Sequence, residues 1–289
     1  MIKSAVRGAL LCTVSLLLAS CSSPKGQVLR LATTTSTYDS GLLNDILPAF
    51  EAEYGVRVDV VAVGTGQALA LGRRGDADVI LVHAASKEQA FVEEGYGLAR
   101  FPVMFNDFIL VGPPEDPAKI GGVGQAAEAL ARIAAAAAPF ASRGDDSGTY
   151  ARERALWQAA GLQPDSEAGW YLSLGQGMAA TLQFADEVGA YTLTDRGTFM
   201  AQRAQLEHLE LMVGGGSISE NADRALMNPY SVIPVNPAGN GGVQADLAQK
   251  FIDWLLSLDT QKRIAVFGID QFGQPLFFPD SERWRSTRP

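Results

Sequence analysis

The stretch Ser142-Arg143-Gly144-Asp145-Asp146-Ser147-Gly148-Thr149 gathers a cation, two carboxylates and the Ser147 and Thr149 hydroxyls into one glycine-punctuated turn. From Tyr150 the residues Ala151, Ala155, Leu156 and Ala159 recur at helical spacing, and Gly161 then Pro164 mark a stop, so the turn opens a helix. A helix N-terminus carries free N–H donors and about half a positive charge. With Arg143, Ser147, Gly148 and Thr149 converging there, the chemistry on offer is anion binding. The plainer alternative is a capped helix with a surface Arg–Asp pair.

Two further turns have the same make-up. Thr33-Thr34-Thr35-Ser36-Thr37 follows the apolar run Val28 to Ala32, and Gly64-Thr65-Gly66-Gln67 follows Val56 to Val63. In open α/β sheets the carboxyl ends of the strands face one crevice, so the three turns can meet there. Catalytic readings find less support. Gly64-Thr65-Gly66 lacks the third small residue of a dinucleotide fingerprint, Leu69 standing in its place. Gly214-Gly215-Gly216-Ser217 lacks the lysine of a phosphate loop. Asp146-Ser147-Gly148 has the look of a serine nucleophile segment, but the chain has only His83 and His208 to serve as base. His83 is expected to pack at the end of a buried strand and His208 to lie at the surface. Neither a His-based nor a Cys-based metal site is expected. Donors without bases suit binding, so the expectation is a protein that is not an enzyme and needs no cofactor. Six charge-assisted donors at roughly 1.5–3 kcal/mol each would support micromolar to nanomolar affinity after association costs.

The elements that must position these turns read as strand–turn–helix units. Strands are expected over Val28 to Ala32, Val56 to Val63 and Ala77 to His83. The helices between them carry Leu42 to Phe50, capped by Asp39 or Ser40, and the segment after Gln67. A helix over Ser86 to Glu94 closes the third unit. Three such units imply an α/β fold with a parallel sheet and right-handed crossovers. Phe105 to Val111 is expected as a strand, and the rigid Gly112 to Pro117 turn as a domain crossing. A second series of helices and strands then runs from Ala126 to Val213, and Pro229 to Val235 is read as a strand recrossing to the first domain. Helices over Leu247 to Leu258 and Gln261 to Phe267 complete that domain.

The chain of 289 residues has a formal net charge of -9, which disfavours nucleic acid as a partner. Lys3 and Arg7 precede an apolar run from Ala9 to Ala19, too short to span a bilayer and of signal-peptide type. Leu18-Ala19-Ser20-Cys21 resembles the bacterial lipobox. The resemblance implies that residues 1–20 are removed and that Cys21 is lipidated, with residues 21–27 as a tether. The only other cysteine, Cys12, lies in the removed segment, so no disulfide is expected and the exported protein is expected to be a monomer.

Taken together, these segments are similar to the tungstate-binding proteins of bacterial ABC importers. The resemblance rests on the Thr-rich turn, Val63-Gly64-Thr65-Gly66-Gln67-Ala68, Gly75-Asp76-Ala77-Asp78-Val79 and the Ser142 to Thr149 turn. It extends to Val103-Met104-Phe105-Asn106-Asp107-Phe108, Gly175-Gln176-Gly177-Met178 and Tyr191-Thr192-Leu193-Thr194-Asp195-Arg196-Gly197-Thr198. It implies a two-lobed periplasmic-binding fold of type II, each lobe a mostly parallel sheet flanked by helices. Residues 28–107 and 230–289 would form lobe one and residues 108–229 lobe two. The implied ligand is tungstate, or molybdate of the same charge and shape. It would be held in the interlobe cleft by Thr34, Thr35, Ser36, Thr65, Gly66, Arg143, Ser147, Gly148 and Thr149. The implied partners are the permease and ATPase of an importer, and a membrane through the lipid anchor. Phosphate-binding relatives share Arg-x-Asp-x-Ser-Gly-Thr, which makes phosphate the alternative ligand. A lipid-anchored sensory or hydrolytic protein on the same scaffold is the alternative from another class.

Overall fold

The computed structural model describes residues 27–239 and 242–287. The expected signal segment, Cys21 and all of the tether except Gln27 lie outside the described residues. Three parallel strands, β1 (Val28–Thr34), β2 (Arg57–Val63) and β3 (Val79–Val82), form the first sheet with β1 in the middle. Helices α1 (Thr35–Asp39), α2 (Leu42–Tyr54), α3 (Thr65–Arg74) and α4 (Ala85–Glu93) follow them. The period-2 alternation of the strands divides their side chains between two cores. Leu29, Leu31, Val79 and Leu81 pack on one face with Phe50 of α2, while Ala32, Ile80 and Val82 pack on the other with Leu69 of α3 and Phe91 of α4.

Strand β4 (Phe101–Gly112) is longer than the sequence suggests, and it changes partners along its length. Residues 101–107 pair with β9 (Met227–Pro234), whereas 108–112 pair with β7 (Tyr191–Asp195) and β8 (Glu210–Val213). The passage from one sheet to the other therefore falls inside β4, ahead of the Gly112 to Pro117 turn that the sequence marks as the crossing. Beyond it come α5 (Ala126–Ala135), β5 (Phe140–Ser142), α6 (Gly148–Ala159), β6 (Tyr171–Ser173), α7 (Met178–Val188), β7 (Tyr191–Asp195), α8 (Arg196–Gln202) and β8 (Glu210–Val213). Here β6, β5 and β7 are parallel, and β4 runs antiparallel to β7 and β8. The second sheet again has a core on each face, Phe108 and Leu110 on one side and Ile109 and Val111 on the other.

The chain returns through β9 (Met227–Pro234), antiparallel to both β3 and β4. Helices α9 (Ala245–Leu255) and α10 (Leu258–Val266) then cover the first sheet, with Phe251 and Trp254 against Phe50. A short strand, β10 (Phe278–Pro279), pairs with β4. The result is an α/β architecture of two helix-flanked sheets joined by β4 and β9, each sheet parallel except where those crossing strands and their neighbours enter.

At the change of partners Asp107 and Arg196 form an ion pair in which neither side chain is exposed. Arg196 Nε donates to Asp107 Oδ1 at 2.8 Å, and its terminal nitrogens also donate to the carbonyls of Gly214 and Gly215. Asn221 Nδ2 donates to the second carboxylate oxygen at 2.8 Å. Both charges are thereby desolvated but fully hydrogen-bonded, which is the condition under which a buried pair is tolerated. The pair ties β4 to the start of α8 at the point where the strand leaves one sheet for the other.

Candidate functional site

The carboxyl ends of β1, β2, β3, β5 and β7 carry the polar residues, as the crevice rule for open α/β sheets requires. At the end of β1, Thr34 caps α1. Its Oγ1 accepts from Thr37 N at 3.3 Å and lies 2.6 Å from Thr37 Oγ1 and 3.2 Å from Ser36 Oγ. Thr34, Ser36 and Thr37 are buried, whereas the Thr35 side chain is exposed. At the end of β2, Gly64 caps α3 through its extended backbone, and Thr65 begins the helix completely buried. Neither Asp39 nor Ser40 is the residue that starts α2. Gly41 takes that place with φ of 82°, a left-handed conformation that a glycine adopts without strain, and Ser40 Oγ accepts from Leu42 N.

In the second sheet the Arg143 turn runs from β5 into α6. Ser147 is the N-cap, its Oγ accepting from Tyr150 N at 3.0 Å, which leaves the hydroxyl hydrogen for another acceptor. Arg143 is 6% exposed, and one terminal nitrogen donates to Asp145 Oδ2 at 2.6 Å. Asp145 Oδ1 accepts from Ser147 N. Gly144 has φ of 60°, and a side chain there would run into Ser173, so this tight turn is closed to other residues. Asp146 does not cap the helix. Its carboxylate is exposed and pairs with Lys87 Nζ of α4 at 2.8 Å.

The structure brings the three turns together. The Asp146 carboxylate reaches Gly66 so closely that a Cβ on that glycine would stand 2.5 Å from Oδ2. A Cβ on Gly148 would stand 2.9 Å from the His83 ring. Gly66 and Gly148 are thus positions where the two sheets approach each other, and at Gly148 the fixed His83 ring leaves no room for a side chain. The Arg143 charge also reaches Asp39, His83 and Asp195. Two buried side-chain polar atoms of these turns, Thr65 Oγ1 and Arg143 Nε, lack a hydrogen-bond partner among the described residues. Unpaired buried donors are costly, so a cluster of them marks a place where a partner is to be accepted.

Sequence reasoning missed four neighbours of these turns. His83 follows β3 directly and is buried, but it does more than pack. Its Nε2 is 3.2 Å from Thr34 Oγ1 and 3.4 Å from Ser36 Oγ, and its Nδ1 is 2.9 Å from Asn228 Oδ1. Burial pushes the imidazole down to about 4, with Arg143 and Arg152 acting in the same direction, so the ring is neutral near pH 7. Thr37, wholly buried, stands beside Thr34 with its Oγ1 2.6 Å away. Asp195 and Thr198 make a fourth turn, after β7. Asp195 caps α8, accepting from Thr198 N at 2.9 Å and Thr198 Oγ1 at 2.7 Å, and burial pushes its carboxyl up. The signal was present in Thr194-Asp195-Arg196-Gly197-Thr198, which repeats the pattern of strand, hydroxyl, glycine and helix. These residues bring two proton acceptors into the crevice, but His83 Nε2 is already faced by hydroxyls and both Asp195 oxygens are already occupied. His208 lies at the surface near Asp186.

A separate cavity of about 600 Å³ lies against Phe105, Ile218, Met227 and Phe278, outside these turns, with Ser219, Asn221 and Arg224 adding polar groups to a mostly apolar lining. The described residues contain no group of three or more His, Cys, Asp or Glu arranged for a metal ion. No described helix is long and apolar enough to cross a membrane.

Comparison with known proteins places this geometry. Residues 22–259 match the PBP superfamily domain. The tungstate-binding protein TupA of Peptoclostridium acidaminophilum is 45% identical over 271 residues, covering 90% of this chain and 91% of that protein. The solved structure of TupA from Desulfovibrio alaskensis G20 superposes with a TM-score of 0.76 at 44% identity, covering 89% of this chain and all of the other. That of the tungstate ABC transporter protein from Geobacter sulfurreducens superposes with a TM-score of 0.75 at 46% identity, over 83% of this chain and 98% of the other. With hydroxyl turns, a buried arginine and two sheets facing across one crevice, this chain belongs to the TupA family of the PBP superfamily.

Proposed function

We propose that this protein captures tungstate in the crevice between its two sheets and delivers it to the permease and ATPase of an ABC importer. The observation that carries the reading is the pair of buried donors without partners, Thr65 Oγ1 and Arg143 Nε, on opposite sides of one crevice. Thr34, Ser36, Thr65, Ser147 and Thr149 donate through hydroxyls, Thr35, Gly66 and Gly148 through backbone N–H groups, and Arg143 supplies the charge. Asp145 holds Arg143 from the side and does not touch the ligand. A fully deprotonated dianion needs donors only, and both oxygens of the nearby Asp195 carboxylate are already taken by Thr198. Molybdate, equal in charge and shape, is the second ligand.

Residues 28–107 with 230–289 act as one lobe and 108–229 as the other. After export the chain is held to the membrane through a lipid on Cys21, in the periplasm or at the cell-envelope surface, and works as a monomer that binds and does not turn over. Phosphate is the competing reading, because Arg143, Asp145, Ser147, Gly148 and Thr149 match the phosphate-binding motif. Parallel calorimetry with tungstate, molybdate, sulfate and phosphate decides between them. The expected result is tight binding of tungstate and molybdate and weak binding of the other two. Displacement of tungstate by an equal concentration of phosphate would overturn the reading.

A further inference from the structure

The Thr34 and Ser36 hydroxyls face a histidine whose tautomer the fold dictates. Asn228 Nδ2 donates to Asn106 Oδ1 at 2.7 Å and lies 3.2 Å from Tyr230 OH, so Asn228 turns its carbonyl oxygen to His83. His83 Nδ1 therefore carries a hydrogen, donated to Asn228 Oδ1 at 2.9 Å. In the neutral ring Nε2 is then a lone pair, and its neighbours are the Thr34 and Ser36 hydroxyls. The ring cannot turn away. Tyr230 lies against one face with centroids 4.7 Å apart, and the backbone of Gly148 closes on its edge. Asn106 and Asn228 belong to β4 and β9, so this relay joins the hydroxyl turn to both crossing strands.

An oxyanion in the crevice asks the same two hydroxyls for their hydrogens. If they turn toward the anion, Nε2 is left buried as an acceptor without a donor, a costly state. One change repairs it: a proton from solvent adds to Nε2, the new N–H donates to Thr34 Oγ1, and that oxygen donates its own hydrogen to the ligand. Nδ1–H stays on Asn228, and Nε2 again has a hydrogen-bond partner. The charged and titratable groups around the ring favour this only with the ligand present. Arg143 and Arg152 oppose a positive charge on the ring, Tyr230 is neutral, and the nearby carboxyls of Asp39 and Asp195 are raised by burial and act on Arg143. A dianion reverses that field, since the Arg143 charge is already shared with Asp145.

We propose that His83 is a positioning residue of the oxyanion site, taking up one proton at Nε2 when a fully deprotonated oxyanion binds to the Thr34 and Ser36 hydroxyls. The inference rests on the crevice being the oxyanion site. Calorimetry of the full exported chain with dilute tungstate near pH 6, in buffers of different ionisation enthalpy, reads the protons taken up. The expected value approaches one proton per tungstate. Affinity should weaken by up to tenfold for each pH step upward until the bound-state imidazole loses its proton, and stay flat beyond that. His83→Gln should bind without proton uptake and without that pH dependence. If His83→Gln does not fold, nitrogen NMR of the parent gives the answer directly, because the chain has only two histidines and His208→Asn assigns the other. Nε2 should change from unprotonated to protonated on adding tungstate. Tungstate binding with no buffer-dependent heat and an unprotonated Nε2 in the complex would overturn the inference while leaving the oxyanion site intact. Absence of any tungstate binding would overturn both.

Discussion

A buried hydroxyl without a partner makes opposite demands on stability and on binding. Thr65 is wholly buried at the start of α3, and its Oγ1 has no hydrogen-bond partner among the described residues. Thr65→Val keeps the shape and removes the unsatisfied group. The ligand-free protein should gain about 1 kcal/mol or more in urea denaturation, while tungstate affinity falls by about 1–3 kcal/mol in calorimetry. A variant that lost stability as well as affinity would show Thr65 to be part of the packing alone. At this scale the sequence was most legible where polar residues are rare. A hydroxyl run after an apolar strand stands out, so Thr34, Ser36 and Thr65 could be picked before any fold was known. His83 could not, because it ends a continuous apolar run and the residues that fix its ring, Asn106 and Asn228, are distant in sequence.

Helix α6 presents the Arg143 turn, and one group beneath the turn holds it in place. Glu153 accepts from Ser142 Oγ at 2.8 Å, from Tyr171 OH at 2.7 Å and from Trp157 Nε1 at 3.3 Å, and so fastens α6 to β5 and β6. Among the described residues no cation forms an ion pair with it as Arg143 does with Asp145, and Arg154 acts on it only at longer range. Burial raises its carboxyl from the ordinary 4.5 to about 7, the hydrogen bonds from Tyr171 and Ser142 opposing the rise. Between those two values the folded protein binds the proton more tightly than the unfolded chain. The stabilisation is therefore fully present below about pH 4.5 and is lost as pH rises through about 7, a difference of about 3 kcal/mol. Glu153→Gln cannot titrate, so its stability relative to the parent should rise by about that amount between about pH 5 and pH 8. A difference between the two proteins that stays constant with pH would contradict this. Elements of this size were legible where they span several periods, as α2, α3 and β1 to β3 do. β6 was missed because three residues cannot display an alternation, and it exists only through parallel pairing with β5. The first half of β4 was missed because Pro102 argues against a strand, and the fold accommodates it at an irregularity between Pro102 and Met104. Helix α1 shows no helical pattern in the sequence, because its five residues are mostly hydroxyl-bearing and its cap, Thr34, is one of the same run.

For the molecule as a whole, β4 and β9 connect the two sheets, and the remaining contacts across the crevice decide how firmly it shuts. The Lys87–Asp146 pair joins α4 to the Arg143 turn at 2.8 Å, with side chains 38% and 80% exposed. A pair in that much water is worth at most about 1 kcal/mol and is weakened by salt. The proposed ligand draws donors from both sheets at once, and charge-assisted bonds of roughly 1.5–3 kcal/mol each exceed the pair several times over. Closure should therefore follow occupancy of the crevice, the latch adding only to the lifetime of the closed form. The buried Asp107–Arg196 pair, fixed to Gly214, Gly215 and Asn221, keeps the crossing point of β4 rigid, so motion falls on the segments around it. Small-angle scattering should show the parent compacting when tungstate is added, and Lys87→Ala compacting to the same extent. Stopped-flow release from Lys87→Ala should be faster by no more than about fivefold, the equivalent of about 1 kcal/mol, and the gap from the parent should shrink as salt is raised. Were Lys87→Ala to bind tungstate without compacting, the surface pair and not the ligand would be what draws the two sheets together.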